Sequence, residues 1–171
     1  MIVASTQHPD QLQFQGRPIV EVAEAMHAHP AEAALRLLER DKLGTSAFFS
    51  GMCEANMWKI LAEPYVMIGS DASLRATSGP LSHDFPHPRA YGTFPRFLRA
   101  ALDGKTVSLP EAIRKMTALP ANHFRIRDRG RIAIGMFADL VVFDPKRVRD
   151  LATFSKPHQF SEGIEAVAVN G

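Results

Sequence analysis

The sequence predicts an α/β fold, and three observations carry that expectation. Apolar residues recur at helical spacing in several stretches on either side of the chain's middle. Between them, Tyr65 to Gly69 (YVMIG) is a nearly continuous apolar run bounded by Pro64 and Ser70-Asp71, the pattern of a parallel strand buried on both faces. From Arg125 onward the texture changes to short β-like runs punctuated by glycine and basic residues.

The elements follow in order. Pro18 stands where a first helical turn tolerates it, and Ile19, Val22, Ala23 and Met26 recur at helical spacing up to a break at His27-Ala28-His29-Pro30. Pro30 opens a second helix with an apolar face of Ala31, Ala34, Leu35 and Leu38 opposite Glu32, Arg36, Glu39 and Arg40, closed by Lys42-Leu43-Gly44. Thr45 to Ser50 (TSAFFS) is short and aromatic and predicts a strand. Glu54 to Ala62 returns to helical spacing through Met57, Trp58, Ile60 and Leu61 until Pro64 stops it. Ala72 to Thr93, stiffened by Pro80, Pro86 and Pro88, has no periodicity and reads as a long loop.

Phe94 to Asp103 and Ser108 to Leu119 read as helices, the second opened by Ser108-Leu109-Pro110-Glu111 at capping-box spacing. Arg131 to Ile134, Ala138 to Phe143 and Ile164 to Val169 predict short strands. Val169-Asn170-Gly171 reads as a strand running into a hairpin turn whose second strand is missing.

Composition narrows the class. The chain has 171 residues, 46% of them hydrophobic and 22% charged, enough to bury a core and room for one domain or slightly more. A net charge of +2 from interspersed residues gives no strong field for nucleic acid or an anionic membrane. No leader-like or membrane-spanning apolar stretch occurs. The single cysteine, Cys53, excludes an internal disulfide and fits a cytoplasmic location.

Few residues stand out as chemistry. Asp71 follows the buried run directly, at the strand end where α/β folds place their sites, although Ser70-Asp71 could equally turn the chain or cap a helix. The segment from His87 to Arg96 holds a histidine, two arginines and a tyrosine in a proline-stiffened loop, suited to holding a guanidinium for a carboxylate; its arginines could equally pair with surface acids. His27 and His29 sit at a helix end, and His8, His83, His123 and His158 have no companions at ligand spacing, so no metal ligand is expected here. Cys53 opens a helix and reads as a buried or half-buried small side chain.

These residues resemble a known family. Met67-Ile68-Gly69-Ser70-Asp71, then His87-Pro88-Arg89 with Tyr91-Gly92-Thr93-Phe94-Pro95-Arg96, resemble the N-acyl-D-amino-acid deacylases (D-aminoacylases) of the amidohydrolase superfamily. Arg129-Gly130-Arg131-Ile132, Ala138-Asp139-Leu140-Val141-Val142-Phe143-Asp144, Pro157-His158 and Glu162-Gly163-Ile164 resemble the tail of the same proteins. One departure is local: Ala72 stands where the family usually has glycine.

The resemblance implies the C-terminal piece of a zinc-bearing (β/α)8 barrel plus part of a small β domain. Residues 1–64 correspond to a mainly helical insertion before the last barrel strand. Residues 65–124 correspond to that strand, the site loop and its helices, and residues 125–171 to a share of the β domain. It implies that Asp71 is the catalytic acid and base, that Arg89 binds the substrate's α-carboxylate, and that His87 and Tyr91 neighbour the site. The family's zinc ligands would lie upstream of Met1, so zinc belongs to the parent enzyme and none is expected for this chain alone.

The implied reaction is hydrolysis of N-acyl-D-amino acids to a carboxylate and a D-amino acid, with this chain inactive by itself. Its partners would be that substrate in the complete enzyme and an N-terminal barrel segment or a second copy. A dihydroorotase-like or cyclic-amidase fragment would share the tail motif, and a non-catalytic module complementing a separate barrel chain is the other alternative.

Overall fold

The computed structural model describes residues 1–171. Their packing forms two units that interleave along the chain. One unit comprises residues 1–51, 72–91 and 152–159, the other 52–71, 92–151 and 160–171. No helix is long and apolar enough to cross a membrane.

In the first unit, β1 (Ile2–Ser5) pairs antiparallel with β2 (Ser46–Phe48), with Ile2 opposite Phe48 and Val3 opposite Ala47. β2 lies in the expected aromatic run, whereas β1 is an addition to the sequence reading. Helices α1 (Ile19–Ala25) and α2 (Pro30–Arg40) pack together, and Val3, Phe14, Val22 and Leu37 make the core with Ile19 and Met26 against it. The α1 face is the expected one. On α2 the buried stripe is Ala33, Leu37 and Asp41, and Leu35 is exposed. Apolar residues occupy both stripes of this helix, so spacing alone could not choose between them.

Asp41 fastens the end of α2. Its carboxylate accepts the Gln7 and His8 backbone N–H groups at 2.8 and 2.7 Å and the Thr45 hydroxyl at 2.8 Å. Burial alone would raise its pKa, but the bonds from Thr45, Gln7 and His8 overcome that and hold the carboxyl below the usual range. The chain then leaves the helix through Lys42 and Leu43, both with positive φ.

In the second unit, α3 (Glu54–Ala62), α4 (Arg89–Leu102, from Gly92 onward) and α5 (Leu109–Met116) bury Phe97, Ala101 and Ala112 around Ile68, with Trp58, Leu61, Val107 and Met116 packed against them. A short α6 (Ala118–His123) follows a break at Thr117. The ribbon of β3 (Leu140–Phe143) and β4 (Ile164–Ala168) is antiparallel, with Leu140 opposite Ala168. Gly92 and Gly163 mark tight approaches. A Cβ on Gly92 would meet the Asp150 Cβ at 2.8 Å, and Gly163, at φ +74°, passes against the Val148 backbone.

Several sequence expectations are corrected. Tyr65 to Gly69 is not a strand: neither sheet in this chain pairs with it, and a run of strand-like residues becomes a strand only when a neighbour takes its hydrogen bonds. No parallel pair forms. Arg131 to Ile134 is irregular and its isoleucines are exposed. The capping box at the start of α5 does not form: Ser108 makes no side-chain cap, and the Glu111 carboxylate grips Arg114 through two 2.7 Å bonds. α4 starts at Arg89, five residues earlier than expected, and runs through Pro95. Cys53 is exposed, because as the residue capping α3 it lies off that helix's apolar side.

Asp41 gives a pH test of the first unit. A carboxyl with a folded pKa below its unfolded value of about 3.9 contributes stability that is present above that value and lost as pH falls through the folded pKa. In urea unfolding, Asp41→Asn is expected to cost about 1 to 3 kcal/mol at pH 7, and the difference from the native chain should shrink steadily below about pH 4. A difference independent of pH would contradict the role of the charge.

Candidate functional site

Asp71 and the His-Pro-Arg segment belong to different units. Asp71 is exposed and follows the buried Ile68 through Gly69 and Ser70. Its φ is 47°, in the left-handed region that aspartate and asparagine tolerate better than most residues. Ala72, where the resembling family has glycine, does not have a positive φ, so its Cβ meets no backbone penalty there. Six other non-glycine residues also have a positive φ, so the backbone alone does not single Asp71 out.

The first unit brings His87, Arg89 and Tyr91 together at the start of α4. The His87 Nδ1 accepts the Arg89 backbone N–H at 3.0 Å, which satisfies one of the helix's orphan donors and sets Arg89 in the first turn. The His87 ring is fixed edge-on between Phe48, at 5.4 Å between centroids, and Phe154, at 4.9 Å. Tyr91 donates its hydroxyl to the Ala76 carbonyl at 2.7 Å, tying the long loop back to the helix. Its phenol is pushed up by burial and by Asp84, with Arg75 acting the other way. Arg75 and Asp84 pair at 2.9 Å.

In the second unit, the Arg96 guanidinium lies 3.8 Å from the Glu54 carboxylate in an exposed pair. This is the surface role weighed for one of the two arginines.

Histidine before proline has a capping role that residue spacing does not reveal. His8-Pro9, His29-Pro30 and His87-Pro88 each open a helical turn, and in each the Nδ1 accepts the N–H of the residue after the proline, at 3.3, 3.3 and 3.0 Å. The signal was present in the dipeptide itself: proline suits a first turn, and the side chain before it can reach the next free N–H.

No group of three or more His, Cys, Asp or Glu side chains is placed to hold a metal ion. The tail motif is structural: Arg129 binds both Asp139 and Asn170 and stacks 4.2 Å over Phe137, and Asp139 accepts the Asn170 N–H at 3.1 Å. The Arg129 bond, with that from Asn170, holds the Asp139 carboxyl below its usual range.

Comparison with known proteins identifies the class. The whole chain, residues 1–171, matches the amidohydrolase family, and the chain belongs to it. It is 38% identical to N-acyl-D-glutamate deacylase of Alcaligenes xylosoxydans xylosoxydans, across 99% of this chain and 32% of that protein. It is 46% identical to D-aminoacylase of the same organism, across 73% of this chain and 25% of that one. Among solved structures it matches N-acyl-D-glutamate deacylase from Bordetella bronchiseptica, complexed with zinc and a phosphonate inhibitor. The TM-score is 0.82 at 34% identity, over 98% of this chain and 33% of that one. A D-aminoacylase structure matches with a TM-score of 0.80 at 36% identity, over 99% of this chain and 33% of the other. The chain thus spans about a third of the length of the relatives it matches.

Four-coordinate zinc needs ligands that this chain does not bring together. After dialysis against a weak chelator, elemental analysis of the 171-residue chain is expected to find far less than one zinc per chain. One tightly held zinc would show that the dismissed histidines or Cys53 assemble a site.

Proposed function

We propose that this chain supplies the acid–base carboxylate and the carboxylate anchor of an enzyme that hydrolyses N-acyl-D-amino acids, and that it is inactive alone. The observation that supports this best is 38% identity to N-acyl-D-glutamate deacylase across 99% of the chain, with Asp71 and Arg89 inside the matched span. In this reading residues 1–64 are the insertion before the last barrel strand, 65–124 carry the site loop and the run, irregular in this chain, that becomes that strand when barrel neighbours pair with it, and 125–171 contribute to a small β domain. The rest of the barrel, with the zinc ligands, comes from polypeptide outside these residues, and the assembled enzyme works in the cytoplasm.

The chemistry assigned to this chain is proton transfer and orientation. Asp71 takes a proton from the attacking water as its oxygen bonds to the amide carbon. It then returns that proton to the nitrogen as the C–N bond breaks, releasing a carboxylate and a D-amino acid. Arg89 offers a planar, two-pronged donor to the substrate's α-carboxylate. Anchoring that group fixes which enantiomer presents its amide to Asp71. His87 and Tyr91 act through the backbone: one holds the first turn that carries Arg89, the other ties down the loop beside it.

Two substitutions test the assignments in a chimera in which this chain replaces the matching third of N-acyl-D-glutamate deacylase. Asn suits a left-handed φ as well as Asp does, so Asp71→Asn removes the proton acceptor and spares the backbone. It is expected to lower kcat by about 100-fold or more with the metal retained. Retention of more than about a tenth of kcat would remove Asp71 from the acid–base role.

Arg89→Lys keeps the charge but loses the fork. For an N-acyl amino acid it should cost about 1 to 3 kcal/mol of transition-state binding, whereas the uncharged α-amide analogue should change little. Measuring kcat/KM for both substrates with both proteins closes a cycle. A coupling near zero would pass the role to Arg96.

A further inference from the structure

We infer that Lys115 is a positioning residue for Asp71, clamping the irregular segment that leads to it; the inference rests on the reading of Asp71 as the acid–base group. Lys115 is the largest fully buried side chain of the protein, at 0% exposure, yet it lies on α5, away from the residues assigned above. Methionine or leucine would fill such a slot without the cost of desolvating an amino group, so its presence calls for a directional bond. That bond exists: Nζ donates to the carbonyl of Glu63, the residue that closes α3. A helix end leaves its last carbonyls without partners and favours a positive group, so a lysine donor suits it on both counts.

The clamp has two jaws. The carbonyl of Lys115 accepts the Ile68 N–H at 3.3 Å, so one residue holds Glu63 with its side chain and Ile68 with its main chain. The same Glu63 carbonyl accepts the Val66 N–H at 3.1 Å, and the neighbouring Arg114, braced by Glu111, donates to the Pro64 carbonyl at 2.6 Å. The last turn of α5 therefore holds residues 63–68 from one side. Ile68 is the segment's one deeply buried side chain, set among Phe97, Ala101 and Ala112. Only Gly69 and Ser70 separate it from Asp71, and a Cβ on Gly69 would meet nothing within 4 Å.

Burial lowers the Lys115 pKa, with Glu111 and Glu63 pulling it up and Arg114 pushing it down. The clamp does not depend on that titration, since the amino group donates in either protonation state.

Amide hydrogen exchange by NMR on the 171-residue chain separates this role from bulk stability. With Lys115→Met, exchange at Val66 and Ile68 is expected to speed up by at least about tenfold relative to Phe97 and Leu98 in α4, and Lys115→Arg should recover part of the protection. An equal loss at all four amides, or none, would overturn the inference. If Lys115→Met does not fold, the native chain decides: a slowly exchanging Nζ proton signal with a cross-peak to the Val66 N–H supports the clamp, and its absence overturns it.

In the chimera, Lys115→Met should lower kcat at least about fivefold with KM near the native value. Unchanged kcat, in a protein that Asp71→Asn inactivates, would overturn the positioning role and leave the Asp71 assignment standing. Full activity of Asp71→Asn would remove that assignment, and with it the positioning role, while the exchange data would still report whether Lys115 holds the segment.

Discussion

Backbone polar groups outside helices and sheets must find partners, and much of this protein is arranged around how side chains provide them. Its two sheets have two strands each, so long stretches of main chain have no ladder to join. Three histidines before prolines take the first free N–H of a helical turn, and the Asp41 carboxylate takes two more. Arg114 and Lys115 take the carbonyls at the end of α3, and Arg99 takes that of Pro145 at 2.8 Å. The local setting of each candidate residue follows from these bonds, because Arg89 starts a helix capped by His87 and Asp71 follows a segment gripped by α5.

The sequence was legible where a local rule decides the outcome. The proline-opened helices α1 and α2, the helix through Trp58 and the β3 and β4 runs are governed by spacing, turn residues and β-branching over a few positions, and the structure has all of them. It was not legible where partners decide. Tyr65 to Gly69 has the composition of a buried strand, but strand structure depends on a neighbour and this chain provides none. The start of α4 lies upstream of the expected Phe94, because the lack of periodicity before Thr93 hides a helix start that the His87 cap fixes at Arg89. Ser108 and Glu111 have capping-box spacing, yet Arg114 competes for the glutamate and wins with two short bonds.

The candidate site divides the same way. Asp71, His87, Arg89 and Tyr91 were singled out by motif and resemblance, and local geometry adds a physical account of each: a left-handed aspartate, a capping histidine, an arginine in a first turn and a tyrosine tethering a loop. Lys115 was invisible, because its meaning lies in a carbonyl 52 residues away in sequence. The tail motif reads differently once its contacts are known. Asp139 serves Arg129 and the Asn170 N–H at the end of the β3–β4 ribbon, a folding role rather than a chemical one.

We propose that this amidohydrolase chain supplies the proton-transfer and orienting groups of a stereospecific deacylation that it does not perform alone. Hydrolysis of N-acetyl-D-glutamate and of its L-enantiomer tests this directly, measured with the 171-residue chain and with the chimera that restores the remaining two thirds of a deacylase. The account predicts release of D-glutamate by the chimera only, with the L-substrate untouched. Turnover by the isolated chain, or equal hydrolysis of both enantiomers by the chimera, would contradict it.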